Sequence, residues 1–117
     1  MRTNETISIA NADHYAWGED CDGWHLVRTP ELSVIQERMP PGTCEVRHFH
    51  ERARQFFFVL AGEAVLEVDG EEHWLQPQQG YEVAPGIAHQ IFNRGHENLD
   101  FLVASQPPSH GDRILKP

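Results

Sequence analysis

The sequence predicts an all-β domain, a sandwich or small barrel of short strands. Three observations carry that prediction. Apolar and polar residues alternate with the two-residue period of half-buried strands. Gly, Pro, Asn and Asp recur between the alternating stretches as turn punctuation. No stretch shows a convincing helical period. At least seven strands are legible, enough for a closed or sandwiched sheet.

In chain order, Ile7 and Ile9 alternate with polar neighbours, enough for a short strand. Asn11-Ala12-Asp13 and Trp17 to Trp24 are rich in Gly, Asp and Asn and are read as loop. Tyr15, Trp17 and Trp24 are assigned to packing over one end of the domain, since aromatics are mainly packing residues. His25–Arg28 is a candidate strand ended by Thr29-Pro30. Leu32–Met39 lies between two proline stops and carries Val34-Ile35, which favours a strand over a helix. Pro40-Pro41-Gly42 turns the chain. Cys44, Val46, His48 and His50 share one parity; Glu45, Arg47 and Phe49 share the other. Glu51–Arg54 reads as a hairpin loop. In the apolar run that follows, Gln55, Phe57 and Val59 are placed inside, Phe56, Phe58 and Leu60 outside. Ala64, Leu66 and Val68 alternate up to Asp69-Gly70, a strong hairpin turn, and Glu71–Leu75 returns. Turns at 76–80 and at Pro85-Gly86 bracket Tyr81–Ala84. His89, Ile91 and Asn93 share a face. Leu99–Ala104 is the last clear strand, because Pro107-Pro108 bars a central strand or a helix beyond it.

With 117 residues the chain is long enough for one domain with a real core. We divide it into an N-terminal segment, 1–34, packed on a barrel core, 35–106, and a Pro-rich tail, 107–117. A formal charge of −9 argues against nucleic acid or an anionic membrane as a partner. No apolar run approaches the roughly 20 residues of a membrane span, and the first ten residues hold no apolar leader. Two cysteines, Cys21 and Cys44, fall short of a disulfide framework and are read as free thiols in a reducing cytoplasm.

The chemistry concentrates between Gly42 and Gly62. His48 and His50, two apart on a strand, project to the same side about 6.5–7 Å apart. Two imidazoles so placed can converge on one ion, with metal–nitrogen bonds of about 2 Å. Gln55 opens the next strand within reach of them. G-(x5)-H-x-H-(x4)-Q-(x6)-G resembles the first signature of the cupins, with Gln55 where the family usually has glutamate. Pro85-Gly86-Ile87-Ala88-His89, followed by Asn93, resembles the second. It departs from that pattern at Ala84, where the family's first proline would be, and at Gln78, in place of a glycine. The two signatures and the segment between them cover roughly half of the chain.

The resemblance implies a single-domain double-stranded β-helix, a small jelly-roll barrel. It also implies one divalent transition metal held by His48, His50, Gln55 and His89. Imidazole ligation suits Ni, Zn, Fe and Cu, and the oxygen ligand leaves Mn open. Three neutral imidazoles and an amide oxygen leave the ion's charge uncompensated. Such a site should draw an anionic or chelating small molecule. The functions this implies are Lewis-acid isomerase or lyase chemistry, or Fe(II) dioxygenase chemistry, on a small anionic or sugar-derived metabolite. The His/Gln set is similar to that of family members that open unsaturated uronate sugars. A non-catalytic metal-bound sensor is the alternative. The family habit of pairing barrels and the outer phenylalanines imply a homodimer. Arg38, Arg47, Arg52 and Arg54 are read as surface charge, with Arg47 facing away from the histidines. His73 and His96 beside turns, and His110 in the tail, are read as solvated; His25 is placed at the barrel mouth without a motif to support it. No general acid or base stands out.

Overall fold

The computed structural model describes residues 5–117. Its regular structure consists of eleven strands, with no helix among the described residues: β1 (Asp13–Trp17), β2 (Cys21–Arg28), β3 (Ser33–Met39), β4 (His48–His50), β5 (Arg54–Ala61), β6 (Ala64–Val68), β7 (Glu71–Leu75), β8 (Gly80–Val83), β9 (His89–Phe92), β10 (Leu99–Gln106) and β11 (Arg113–Leu115). They form two antiparallel sheets, ordered β1-β2-β3-β10-β5-β8 and β11-β4-β9-β6-β7. The all-β jelly-roll prediction holds.

The core lies between the sheets. Alternation along β5 buries Gln55, Phe57 and Val59 at 6%, 3% and 0% exposure, while Phe56 is 44% exposed on the outer side. Phe101 from β10 and Met39 from β3 are fully enclosed, as are Leu66 from β6 and Ile91 from β9. Deleting a buried aromatic of this kind typically costs about 3–5 kcal/mol. The β6–β7 hairpin turns at Asp69-Gly70, where both residues have positive φ, 51° and 89°. That is the primed turn whose twist matches the flanking strands. Asn93, 1% exposed, donates from Nδ2 to the carbonyls of Met39 and Glu97 and so ties the end of β9 to the neighbouring loops.

Several expectations are corrected. Ile7 and Ile9 form no strand; this segment is held by local turns, including Asn11 N–H and Ala12 N–H to the Ser8 carbonyl. Residues read as loop instead build the β1–β2 hairpin, in register from Asp13 opposite His25 to Trp17 opposite Cys21. Its turn residues Gly18 and Asp20 take positive φ. Gly23 sits under the Tyr15 ring, where any β-carbon would collide with it. The residue that looked like a loop signal is therefore a docking surface for an aromatic. The chain beyond Pro107-Pro108 returns as β11, which pairs at the sheet edge with β4, and β10 itself runs on to Gln106. His73 is not simply solvated: its Nε2 is buried without a hydrogen-bond partner and its ring packs on Tyr81 at 4.3 Å. The absence of an apolar leader was read over residues 1–10, of which 1–4 lie outside the described residues.

Candidate metal centre

His48 and His50 project from β4, and His89 from β9, directly opposite His48 in the ladder. Two-residue spacing puts the first two on one face, and strand pairing brings the third alongside. All three are buried, at 4%, 5% and 1% exposure. One ring nitrogen of each lies within 4.8 Å of the others. Gln55 reaches them from β5, in the opposite sheet. The site is thus a bridge across the core.

Hydrogen bonding fixes the tautomers. His48 Nδ1 lies 2.7 Å from the Val46 carbonyl, His50 Nδ1 3.0 Å from the Asp112 carbonyl, and His89 Nδ1 3.0 Å from the Ile87 carbonyl. A carbonyl only accepts, so each Nδ1 carries the hydrogen and each Nε2 is left as a bare lone pair. Burial holds all three rings below the ordinary imidazole range, His48 to about 3, so they are neutral.

Two observations test whether a cation fits. His50 Nε2 is buried and has no partner. His89 Nε2 lies 3.1 Å from Gln55 Oε1, while the Gln55 amide nitrogen donates to Ser105 Oγ at 3.0 Å. In this orientation two acceptors face each other at hydrogen-bond distance, an arrangement that is repulsive unless a cation serves both. The donor set fits a divalent transition ion. With bonds of about 2 Å, nitrogens up to 4.8 Å apart would have to draw inward slightly.

A cavity of about 420 Å³ opens beside the cluster, lined in part by His48, His50 and Gln55. Its walls hold His25, which the sequence reading put at the barrel mouth, and several groups that it missed or placed elsewhere. Glu37 and Glu45 line it, with Tyr15, whose hydroxyl donates to Glu37 Oε2 at 2.6 Å. Arg28 and Arg113 supply positive charge, and His25 and His110 also border the space. Glu45 was assigned to the face away from the histidines. That parity fails because the chain from Glu45 to Arg47 is not strand, apart from an isolated bridge at Cys44 just before it. The irregularity turns Glu45 inward and leaves Val46 56% exposed. His110 was assigned to a solvated tail; it borders the cavity because Asp112 anchors the tail. The Asp112 carboxylate accepts from the N–H groups of Glu51, Arg52 and Ala53 at 3.0–3.1 Å, which holds it below the usual carboxylate range. Its own carbonyl accepts the hydrogen bond from His50 Nδ1–H.

Three of the four arginines read as surface charge are held in ion pairs outside the cavity. Arg47 pairs with Glu67, Arg38 with Asp100 and Arg54 with Glu82. Both cysteines are free thiols, Cys21 buried and Cys44 exposed.

Jelly-roll topology with a buried histidine trio and an adjoining cavity defines a β-barrel of the metal-site type. Comparison with known proteins places it further. The family model for the cupin domain matches residues 35–105, and the chain belongs to that family. It is 27% identical over 89 residues to an uncharacterized protein of Methanocaldococcus jannaschii, a match covering 75% of this chain and 71% of that one. It is 29% identical over 65 residues to an oxalate-binding protein of Thermotoga maritima, covering 56% of this chain and 54% of the relative. This chain therefore spans about half the length of that relative. Among solved structures, KdgF from Halomonas sp. superposes with a TM-score of 0.81 at 19% identity, over 93% of this chain and 99% of the other. At that identity the likeness speaks for the fold alone.

Proposed function

We propose that this cupin is a metal-dependent enzyme acting on a small, carboxylate-bearing metabolite. His48, His50, His89 and the Gln55 carbonyl are the groups that would hold a divalent transition ion. The observation that carries this reading is the set of bare Nε2 lone pairs, each fixed by a carbonyl behind its ring, facing an amide oxygen that cannot hydrogen-bond to them. Bound there, the ion would supply Lewis acidity or, as Fe(II), a redox centre. The protein's own part is to keep the imidazoles neutral, to hold them in one orientation and to enclose the bound molecule. Arg28 and Arg113 offer charge-assisted hydrogen bonds to a carboxylate, and the oxalate-binding relative fits the same substrate class.

The test has two stages. Elemental analysis of protein purified without added metal should find one transition ion per chain; none retained after exposure to Zn, Ni, Fe and Mn would end the reading. Metal-loaded protein is then assayed on oxalate and on saturated and unsaturated uronates, with and without oxygen. Turnover that ignores oxygen selects isomerase or lyase chemistry over dioxygenase chemistry. A non-catalytic sensor is the second reading, favoured by the binding role in that relative's name; tight uronate or oxalate binding without turnover would select it.

The proposal includes a homodimer, supported by the exposed Phe56 ring stacked against Phe58 at 6.1 Å on the outer sheet face. A light-scattering mass of 13.4 kDa, that of one chain, would overturn this. It also includes a cytoplasmic setting, consistent with the two free thiols.

A further inference from the structure

Two side chains of the cavity have no part in holding a metal. Glu37 comes from β3, in one sheet. Glu45 comes from the irregular segment before β4, which is bonded to β9 of the other through Glu45 N–H to the Ile91 carbonyl. Both carboxyl groups border the cavity that His48 and His50 border. One oxygen of each is held: Glu37 Oε2 by the Tyr15 hydroxyl at 2.6 Å, and Glu45 Oε1 by the Ile91 N–H at 3.3 Å. The second oxygen of each has no such tie. Independently of the metal ligands, His25 Nδ1 is buried without a partner on the wall of the same cavity.

Two carboxylates facing one enclosed space cannot both ionise cheaply, so the less well-solvated one keeps its proton. Glu37 has a short hydrogen bond from Tyr15 that favours its charged form. Glu45 has only the long contact from Ile91. We propose that Glu45 is the proton-transfer residue of this cavity, carrying a proton for the molecule bound beside His48 and His50, with Glu37 as the anchored charge that keeps it there. In the donating direction the Glu45 O–H bond breaks, a new O–H or C–H bond forms on the bound molecule, and Glu45 is left as carboxylate. The reverse step or water restores the proton. This rests on the enzymatic reading above and supplies its missing acid and base.

The electrostatics agree. Burial, then the Glu37 charge, pushes Glu45 up to about 8; burial pushes Glu37 to about 7 against the Tyr15 hydrogen bond. The other groups facing the pair are His25 and Arg28 from β2, His48 and His50 from β4, and His110 and Arg113 from the returning tail. Arg113 lowers both carboxyls. A divalent ion at the histidines would draw both down further, Glu45 toward the neutral range where general acid–base transfer is most effective and Glu37 toward its charged form.

Isotope-edited infrared titration of zinc-loaded protein decides the matter. The wild type should show two protonated-carboxyl bands that titrate above the ordinary 4.5, the higher one from Glu45. Glu45→Gln should remove the higher-titrating band while keeping one zinc per chain; Glu37→Gln should keep it but shift its midpoint down. A higher band titrating near 4.5, or one that survives Glu45→Gln, overturns the proposal. Should Glu45→Gln fail to fold, the shift in Glu37→Gln carries the decision. On any uronate the wild type turns over, Glu45→Gln should lose about 10²–10⁴-fold in kcat; wild-type turnover in that variant also overturns it. If the wild type turns over nothing, the enzymatic reading fails, and the infrared result still decides whether Glu45 holds the proton.

Discussion

Gln55 concentrates the physical question at the residue scale. Its amide nitrogen is used by Ser105, so its oxygen is committed to the histidine side. Replacing it with glutamate adds a full negative charge against a bound divalent ion in a site screened from solvent. Gln55→Glu should tighten Zn binding by about tenfold or more, equivalent to ~1.4 kcal/mol; competition with a chromophoric chelator measures it. Unchanged affinity would mean that position 55 does not touch the ion. Gln78 is a second test at this scale. It stands where the cupin pattern has glycine, and its φ is 70°. A non-glycine residue there carries left-handed strain. Gln78→Gly should therefore be neutral or stabilising, by up to ~1 kcal/mol after the added chain entropy. Denaturant unfolding would show it, and a clear loss would show that the Gln78 side chain makes a contact worth more than the strain.

Elements differed in how far the sequence revealed them. The β6–β7 hairpin was legible because Asp69-Gly70 names its own turn chemistry. The histidine face of β4 was legible because a period of two needs no partner to be seen. Glu45 was not, because parity arguments assume an unbroken strand and the chain breaks between Cys44 and His48. The β1–β2 hairpin was hidden behind Gly, Asp and Trp residues whose roles are tertiary: Gly23 under Tyr15, and Trp17 Nε1 donating to the Asp22 carbonyl at 3.0 Å. β11 was hidden because three residues at a sheet edge have no periodicity, and what holds them is pairing with β4 together with the Asp112 anchor just before them. Asp112→Ala removes three hydrogen bonds from the 51–53 loop and loosens the carbonyl that orients His50. It should lower Tm and also weaken metal binding, although Asp112 is no ligand. Second-sphere losses of this kind typically cost about 10–100-fold in metal affinity. Full metal affinity in a destabilised Asp112→Ala would show the anchor to be purely structural.

For the whole molecule, the opposing shifts predict a stability optimum. In metal-free protein His25, His48, His50 and His89 sit below 6.5. As pH falls below 6.5 the unfolded chain binds protons that the folded one refuses, and stability drops. Glu37 and Glu45 are raised from 4.5 to about 7 and 8. From 4.5 upward the unfolded chain has released protons that the folded chain still holds, so these two lose stability as pH rises through that window. Below 6.5 the histidines draw stability down as pH falls, and well above it the carboxyls act alone. Calorimetry in EDTA should find Tm highest near pH 6.5, with a decline toward pH 8 that Glu45→Gln cuts roughly in half. A Tm still rising between pH 6.5 and 8 would mean that neither carboxyl is buried as described.

His50 is oriented by a residue 62 positions further along the chain. That lock on the His50 ring is complete only once the 113–115 edge has closed on β4. A protease nick between Pro107 and Asp112 should therefore speed the loss of a bound ion.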